Sequence, residues 1–258
     1  MSNLSPKIQE SIRNAVRLIK ESHHGVVLTG AGISTPSGIP DFRSAGSGLW
    51  SRFNPFEVAS LTAFRTQPKK FFDWIRPLAS VMRDAQPNPA HKALADLQKA
   101  GHIKTIITQN IDGLHQRAGA VNVLEVHGTF NTLTCVHCYE QQKAGGFIET
   151  FIDEDTIPRC PSCDNILKPD VVLFEEQLPI QVWLDAKKAV NACDLLLVAG
   201  SALEVVPVAN LPFIAAGKGS RIIIVNHTPT PMSSHADVII QEDVAIILPQ
   251  IAMEVIGG

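Results

Sequence analysis

The sequence predicts an α/β fold in which a parallel sheet is covered by helices on both faces and interrupted once by a cysteine-bearing insertion. Three observations carry this. Short runs such as Gly25-Val26-Val27-Leu28, Leu195-Leu196-Leu197-Val198-Ala199 and Ile222-Ile223-Ile224-Val225 are apolar almost throughout, as strands buried on both faces are. They alternate with longer segments that carry apolar residues at helical spacing, the arrangement of βαβ units. The pairs Cys135-x-x-Cys138 and Cys160-x-x-Cys163 break that alternation in one place, so their module is an insertion and not an end domain. With 258 residues, 45% of them hydrophobic and 18% charged, the chain has the composition of a globular protein with an ample core.

The elements follow in order. Ser5-Pro6 opens an amphipathic helix, Ser as cap and Pro at the first helical position, with Ile8, Ile12, Val16 and Ile19 on one face. The first strand, 25–28, runs into Thr29-Gly30-Ala31-Gly32, a glycine turn that can approach a pyrophosphate closely and meet its charge with backbone N–H groups. The G-x-G-x-x-G dinucleotide pattern fails here because its third position is Thr35, and no acidic residue stands about 20 positions on. Asp41, Phe42 and Arg43 come sooner, followed by a loop candidate, 44–48, that reads either as a loop closing over a ligand or as an ordinary surface connection. A helix is expected over 68–85, kinked or ended by Pro77, and another from Asn88-Pro89-Ala90-His91.

The strand 103–108 leads to Gln109-Asn110-Ile111-Asp112. Ligands of open α/β sheets sit outside the carboxyl ends of strands, so this amide and carboxylate turn should face the same crevice as Gly30. A short strand, 123–126, ends at His127-Gly128, where an imidazole can accept a proton near neutral pH. Beyond the cysteines, Val171-Val172-Leu173-Phe174 reads as a strand and 179–192 as a helix. The strand 195–199 ends in Gly200-Ser201, and 208–216 reads as a helix. The strand 222–225 ends in Asn226, 238–240 is shorter, and the last helix carries Val244, Ile247, Leu248 and Ile251.

Two thiolate pairs on tight turns can hold one tetrahedral metal, so Cys135, Cys138, Cys160 and Cys163 are expected to bind structural zinc. All four positions would be protein ligands, which leaves none for an activated water. Cys193 stands apart and reads as a buried inert thiol. A formal charge of −3 and the lack of a long basic run offer no footprint for nucleic acid or a membrane surface. No run has the length of a spanning helix or the core of a signal peptide, so a cytoplasmic protein is expected.

Six segments in order resemble the sirtuins, the NAD-dependent protein-lysine deacylases: Gly30 to Ser34, Gly38 to Arg43, Thr108 to Asp112, His127-Gly128, the paired cysteines, and Gly200-Ser201-Ala202-Leu203-Glu204-Val205. They span nearly the whole chain, and its short termini suit a compact microbial type. The resemblance implies a Rossmann-like, doubly wound domain (1–35, 91–128 and 170–258), a helical insertion with a cofactor loop (36–90) and a zinc-binding module (129–169). It implies NAD contacts from Gly30, Ala31, Gly32, Asp41, Phe42, Arg43, Gln109, Gly200, Ser201 and Asn226. Asn110, Ile111 and Asp112 would shape the nicotinamide pocket, Asn110 serving catalysis as well and Asp112 taking the carboxamide. His127 would be the general base, drawing a proton through the ribose hydroxyls. The implied products are nicotinamide, O-acyl-ADP-ribose and free lysine. An acylated-lysine peptide would add as a strand between a segment holding Val171, Phe174 and Glu175 and one holding Glu204 and Val205.

One departure stands out. Sirtuins usually have Phe-Gly-Glu where this chain has Phe174-Glu175-Glu176, which sets a carboxylate near the expected groove, where it would favour basic residues beside the acylated lysine. Members that take acidic acyl groups carry a Tyr and an Arg three residues apart in the helical insertion. Here Ile75 and Leu78 align with them, which favours acetyl or longer neutral acyl groups, with Arg76 close by. Mono-ADP-ribosyl transfer to a protein is the alternative enzymatic reading. A nucleotide-sensing binding module would have no need of His127, and a dehydrogenase would need the missing third glycine.

Overall fold

The computed structural model describes residues 4–41, 48, 51 and 53–257. Its main sheet has six strands, β1 (Gly25–Thr29), β2 (Ile103–Thr108), β3 (Val123–Glu125), β7 (Leu195–Ala199), β8 (Arg221–Val225) and β9 (Val238–Ile240). Every pairing in it is parallel, in the order β3-β2-β1-β7-β8-β9. The chain winds outward from β1 to β3, then returns to β7 on the other side of β1 and winds outward again. The strand order therefore reverses between β1 and β7, and a doubly wound sheet opens its ligand crevice at such a point.

Alternate strand residues feed two cores. Val27, Ile106, Leu197 and Ile223 pack with α1 (Pro6–Glu21), α5 (Pro89–Lys99) and α10 (Val244–Ile256). Val26, Leu28, Leu196 and Val198 pack on the opposite face with α8 (Ile180–Ala192) and α9 (Leu211–Gly217). The caps act as read: Ser5 Oγ accepts from Ile8 N–H at 3.4 Å and Asn88 Oδ1 from Ala90 N–H at 2.9 Å. No helix among the described residues is long and apolar enough to cross a membrane.

A third core belongs to the insertions. After the short α2 (Pro55–Val58), the helices α3 (Leu61–Thr66) and α4 (Pro68–Asp84) bring Phe64, Phe71, Phe72, Ile75 and Leu78 into one core with Phe151 of α7 (Ile148–Asp153). Pro77 neither ends nor replaces α4, which runs through it with the ring on its exposed side. The cysteine module is a three-stranded antiparallel sheet, β5-β4-β6, of β4 (Gly128–Cys135), β5 (Gln141–Lys143) and β6 (Leu167–Val171).

This corrects one expected strand. The run Val171 to Phe174 is not a member of the parallel sheet: its first residue closes β6, and Phe174 makes only an isolated parallel bridge to Ser60. The strand lies earlier, over a segment holding Lys168, Pro169 and Asp170, and it pairs antiparallel with β4. β6 is an edge strand, where a proline that cannot donate is tolerated. The apolar run owes its composition to packing, since Val171 and Leu173 enter the insertion core.

Candidate active site

The loops after β1 and β7 meet at the reversal. Gly30 N–H donates to the Ala199 carbonyl at 3.3 Å, and Gly32 N–H to the Gly200 carbonyl at 2.9 Å. Gly200 has φ +60°, and a Cβ there would lie 2.6 Å from the Gly32 carbonyl carbon and closer still to the Ile33 nitrogen. Gly200→Ala is therefore expected to force the two loops apart. Left-handed strain and a backbone clash together cost about 1–3 kcal/mol, a Tm drop of about 2–12 °C for a chain of this size, with weakened NAD binding. Calorimetry and NAD titration that match the parent would contradict it.

The turn after β2 docks on the same place. Gln109 N–H donates to the Thr29 carbonyl at 3.0 Å, and Gln109 Nε2 to Ser201 Oγ at 2.9 Å. Asn110 Nδ2 donates to Ser34 Oγ at 3.0 Å, and Ser34 Oγ donates in turn to Asp112 Oδ2 at 2.7 Å. The other Asp112 oxygen accepts from Leu114 N–H at 2.9 Å, at the start of α6 (Leu114–Arg117). Burial pushes the Asp112 carboxyl up from its ordinary range, against those hydrogen bonds. A carboxylate so placed favours a further N–H donor.

His127 follows β3 at the same end of the sheet. Gly128, at φ +78°, makes the turn out of it, where a Cβ would collide with the Asp170 carbonyl. The His127 main chain accepts from Val172 N–H at 2.8 Å. Its Nδ1 lies 3.1 Å from the Gln109 carbonyl oxygen, which can only accept. The ring is thus held with Nδ1 as the donor, which in the neutral imidazole leaves the lone pair on Nε2.

A cavity of about 700 Å³ connects these groups. Ala31, Gln109, Asn110, Ile111, Asp112 and His127 line one part of it. Val171, Phe174, Glu175 and Val205 line another, together with an apolar wall of Trp74, Ile75, Leu78 and Met82 from α4. Gly200, Ser201 and Asn226 stand just beyond the ends of β7 and β8, and Gly30, Gly32, Asp41 and Glu204 also lie outside the lining. Phe42, Arg43 and the loop candidate from Ser44 to Ser47 fall outside the described residues. No lysine or arginine among the described residues lines the cavity. Arg76 is committed elsewhere: it pairs with Asp73 and Asp155, donates to the Phe151 carbonyl at 2.8 Å and stacks on the Phe151 ring at 4.8 Å.

Sequence reasoning missed the polar layer behind this cavity. His115 Nε2 sits 2.9 Å from Thr29 Oγ1, which donates to Thr108 Oγ1 at 2.9 Å, and Thr108 Oγ1 accepts from Asn110 N–H at 3.1 Å. His91 lies 3.4 Å from Ser34 Oγ, and its ring meets that of His115 edge-on at 4.9 Å. Burial pulls the two imidazoles down to about 4 and about 3, so both are neutral at physiological pH. The only signal available in the sequence was polar residues at the ends of apolar strands.

Away from the cavity, Cys135, Cys138, Cys160 and Cys163 place their sulfur atoms within 4.8 Å of one another. The Sγ separations of 3.5 Å (Cys135–Cys163), 3.6 Å (Cys138–Cys160) and 3.6 Å (Cys138–Cys163) approach the value of about 3.8 Å that four thiolates around one tetrahedral zinc require. The donor set fits zinc.

The Sir2 family model matches residues 30–207. NAD-dependent protein deacylase 2 of Archaeoglobus fulgidus is 43% identical over 96% of this chain and 97% of its own length. A solved Sir2 enzyme superposes with a TM-score of 0.89 at 44% identity, covering 96% of this chain and 98% of that one. Sir2Af2 bound to a myristoylated histone peptide superposes with a TM-score of 0.81 at 39% identity, covering 96% and 97%. The switch-point crevice, the four-cysteine centre and these likenesses over nearly the full length lead to one conclusion, that this chain belongs to the Sir2 family.

Proposed function

We propose that this chain is an NAD-dependent protein-lysine deacylase that releases nicotinamide, O-acyl-ADP-ribose and free lysine. The observation that supports it most is the convergence on one cavity of His127, its Nδ1 turned to the Gln109 carbonyl, and the Asn110-Ile111-Asp112 turn. NAD, as co-substrate, supplies the ribose that accepts the acyl group. Gly30, Ala31, Gly32, Gly200 and Ser201 would meet its phosphates and adjoining ribose at the strand reversal. Asp41, Phe42, Arg43, Gln109 and Asn226 would complete its binding. Asp112, buried with a carboxyl that burial pushes up and lining the cavity, suits the carboxamide of nicotinamide, with Asn110 and Ile111 shaping that pocket. His127 Nε2 would draw a proton from the ribose hydroxyls as the general base.

The peptide carrying the acyl-lysine would lie between Val171, Phe174 and Glu175 on one side and Glu204 and Val205 on the other. The four cysteines would hold one zinc ion that shapes the small unit and takes no part in the reaction. The division proposed is 1–35, 91–128 and 170–258, 36–90, and 129–169; the two cores flanking the parallel sheet support the first unit, whereas the insertion core joins residues of 36–90 and 129–169 and takes in Leu114, Val171 and Leu173. Four thiols gathered for a metal suit a reducing compartment such as the cytoplasm. Neither nucleic acid nor a membrane enters this reading.

The test is a panel of acyl-lysine peptides incubated with NAD, following nicotinamide and acyl-ADP-ribose together. Equal amounts of both are expected from acetyl and longer neutral acyl groups. The α4 wall of Trp74, Ile75, Leu78 and Met82 suits an extended apolar chain, as does the likeness to a protein that binds a myristoylated peptide. Succinyl-lysine should react at least about tenfold more slowly, because no lysine or arginine among the described residues lines this cavity to partner its carboxylate. Nicotinamide release with ADP-ribose attached to protein, and no acyl-ADP-ribose, would overturn the reading.

A further inference from the structure

Glu175 stands in the left-handed region at φ +74°, where a side chain is disfavoured and glycine is at ease. Its carboxylate does not extend freely into the groove. Oε2 accepts from the main-chain N–H of Thr62, in the first turn of α3, at 2.9 Å, and the Thr62 hydroxyl bonds it as well. Those bonds hold the carboxyl below its ordinary range, so it is ionised at neutral pH. Beside it, Phe174 N–H donates to the Ala59 carbonyl at 2.9 Å, and Leu61 N–H donates to the Phe174 carbonyl at 3.0 Å.

The next residue anchors the same segment on its other side. Glu176 Oε2 accepts from Leu173 N–H at 2.9 Å and pairs with Lys168 Nζ of β6 at 2.9 Å. Two consecutive carboxylates therefore tie the segment to the helical insertion and to the cysteine module. Between these anchors, the N–H and C=O of Glu175 have no main-chain partner among the described residues. A peptide that adds as a strand needs such groups, held still.

We propose that Glu175 is a positioning residue for the substrate peptide, its carboxylate latched to Thr62 so that the main chain at 175 is held ready to pair. This inference rests on the deacylase reading above. It differs from selection by charge, in which a solvated carboxylate at 175 would attract basic residues flanking the acyl-lysine.

Steady-state kinetics at saturating NAD separate the two, using acetyl-lysine peptides with Lys or Glu beside the modified residue. Glu175→Gln keeps an oxygen for Thr62 N–H and loses the charge, whereas Glu175→Ala loses both and keeps the strained backbone. Glu175→Ala is expected to raise the peptide KM at least about fivefold and Glu175→Gln no more than about twofold. In both, kcat and the NAD KM should change by less than about twofold, and the preference between flanking residues should match the parent. A parental peptide KM in Glu175→Ala overturns the latch. So does a Glu175→Gln that matches Glu175→Ala or alters the flank preference, since charge would then be the cause. A fall in kcat with a rise in the NAD KM reduces the residue to a structural one. A parent inactive on every acyl peptide removes the deacylase reading and this inference together.

Discussion

His127→Ala is expected to lower kcat by about 10²–10⁴-fold, the range a positioned general base supplies, and to leave the fold and zinc content of the parent intact. The reason lies in how the ring is held. The Gln109 carbonyl lies 3.1 Å from Nδ1 and can only accept, so the neutral imidazole carries its proton there and its basic electron pair on Nε2. The same carbonyl belongs to the turn that presents Asn110 and Asp112, and so the proposed base is registered against the proposed nicotinamide pocket through this hydrogen bond. That bond is worth about 1 kcal/mol, and the ring is only half-buried, so its removal should hardly move Tm. The two readouts belong in one experiment, melting temperature and single-turnover release of acyl-ADP-ribose. Turnover near the parental rate with an unchanged melting curve would take His127 out of the role, and the mechanism would lose its base.

What the sequence revealed follows physical range. The parallel strands were legible because burial on both faces leaves no polar alternation, as Leu195–Ala199 shows with all five residues buried. Their order was not, because the return of β7 beside β1 is a pairing across more than half the chain and no local pattern encodes it. The run Val171 to Phe174 misled because cavity walls and strands both call for apolar residues, whereas the true strand carries Lys168, Pro169 and Asp170 and is held by β4. At the site, His127, Asn110 and Asp112 were readable as polar groups at strand ends. The layer behind them was not: Thr29, Thr108, His91 and His115 become one buried network only when α5 and α6 close over β1 and β2. Glu175 was visible as a departure from a motif, but its tie to Thr62 spans 113 residues and needed coordinates.

Removal of zinc should abolish activity although the metal would sit far from the chemistry in function. Cys135 and Cys160 are buried, at 0% and 2% exposure, and with Leu133, Ala144 and Leu167 they form the small core of this module. That core is too slight to hold a three-stranded sheet by itself, and the zinc of a closed thiolate site contributes about 10–16 kcal/mol in small metal-dependent folds. β6 ends at Val171 and leads directly into the segment proposed to border the substrate peptide, and Lys168 of that strand pairs with Glu176. Loss of the sheet therefore propagates to the groove, while the parallel sheet keeps its own two cores. A strong chelator, or Cys160→Ser, is expected to release about one zinc per chain, melt the module in hydrogen exchange and raise the peptide KM beyond measurement. NAD binding at the strand reversal should weaken far less, which separates this outcome from global unfolding. Metal-free protein that keeps its exchange protection at β4 and β6 and its parental turnover would show that the four thiols play no structural part through zinc.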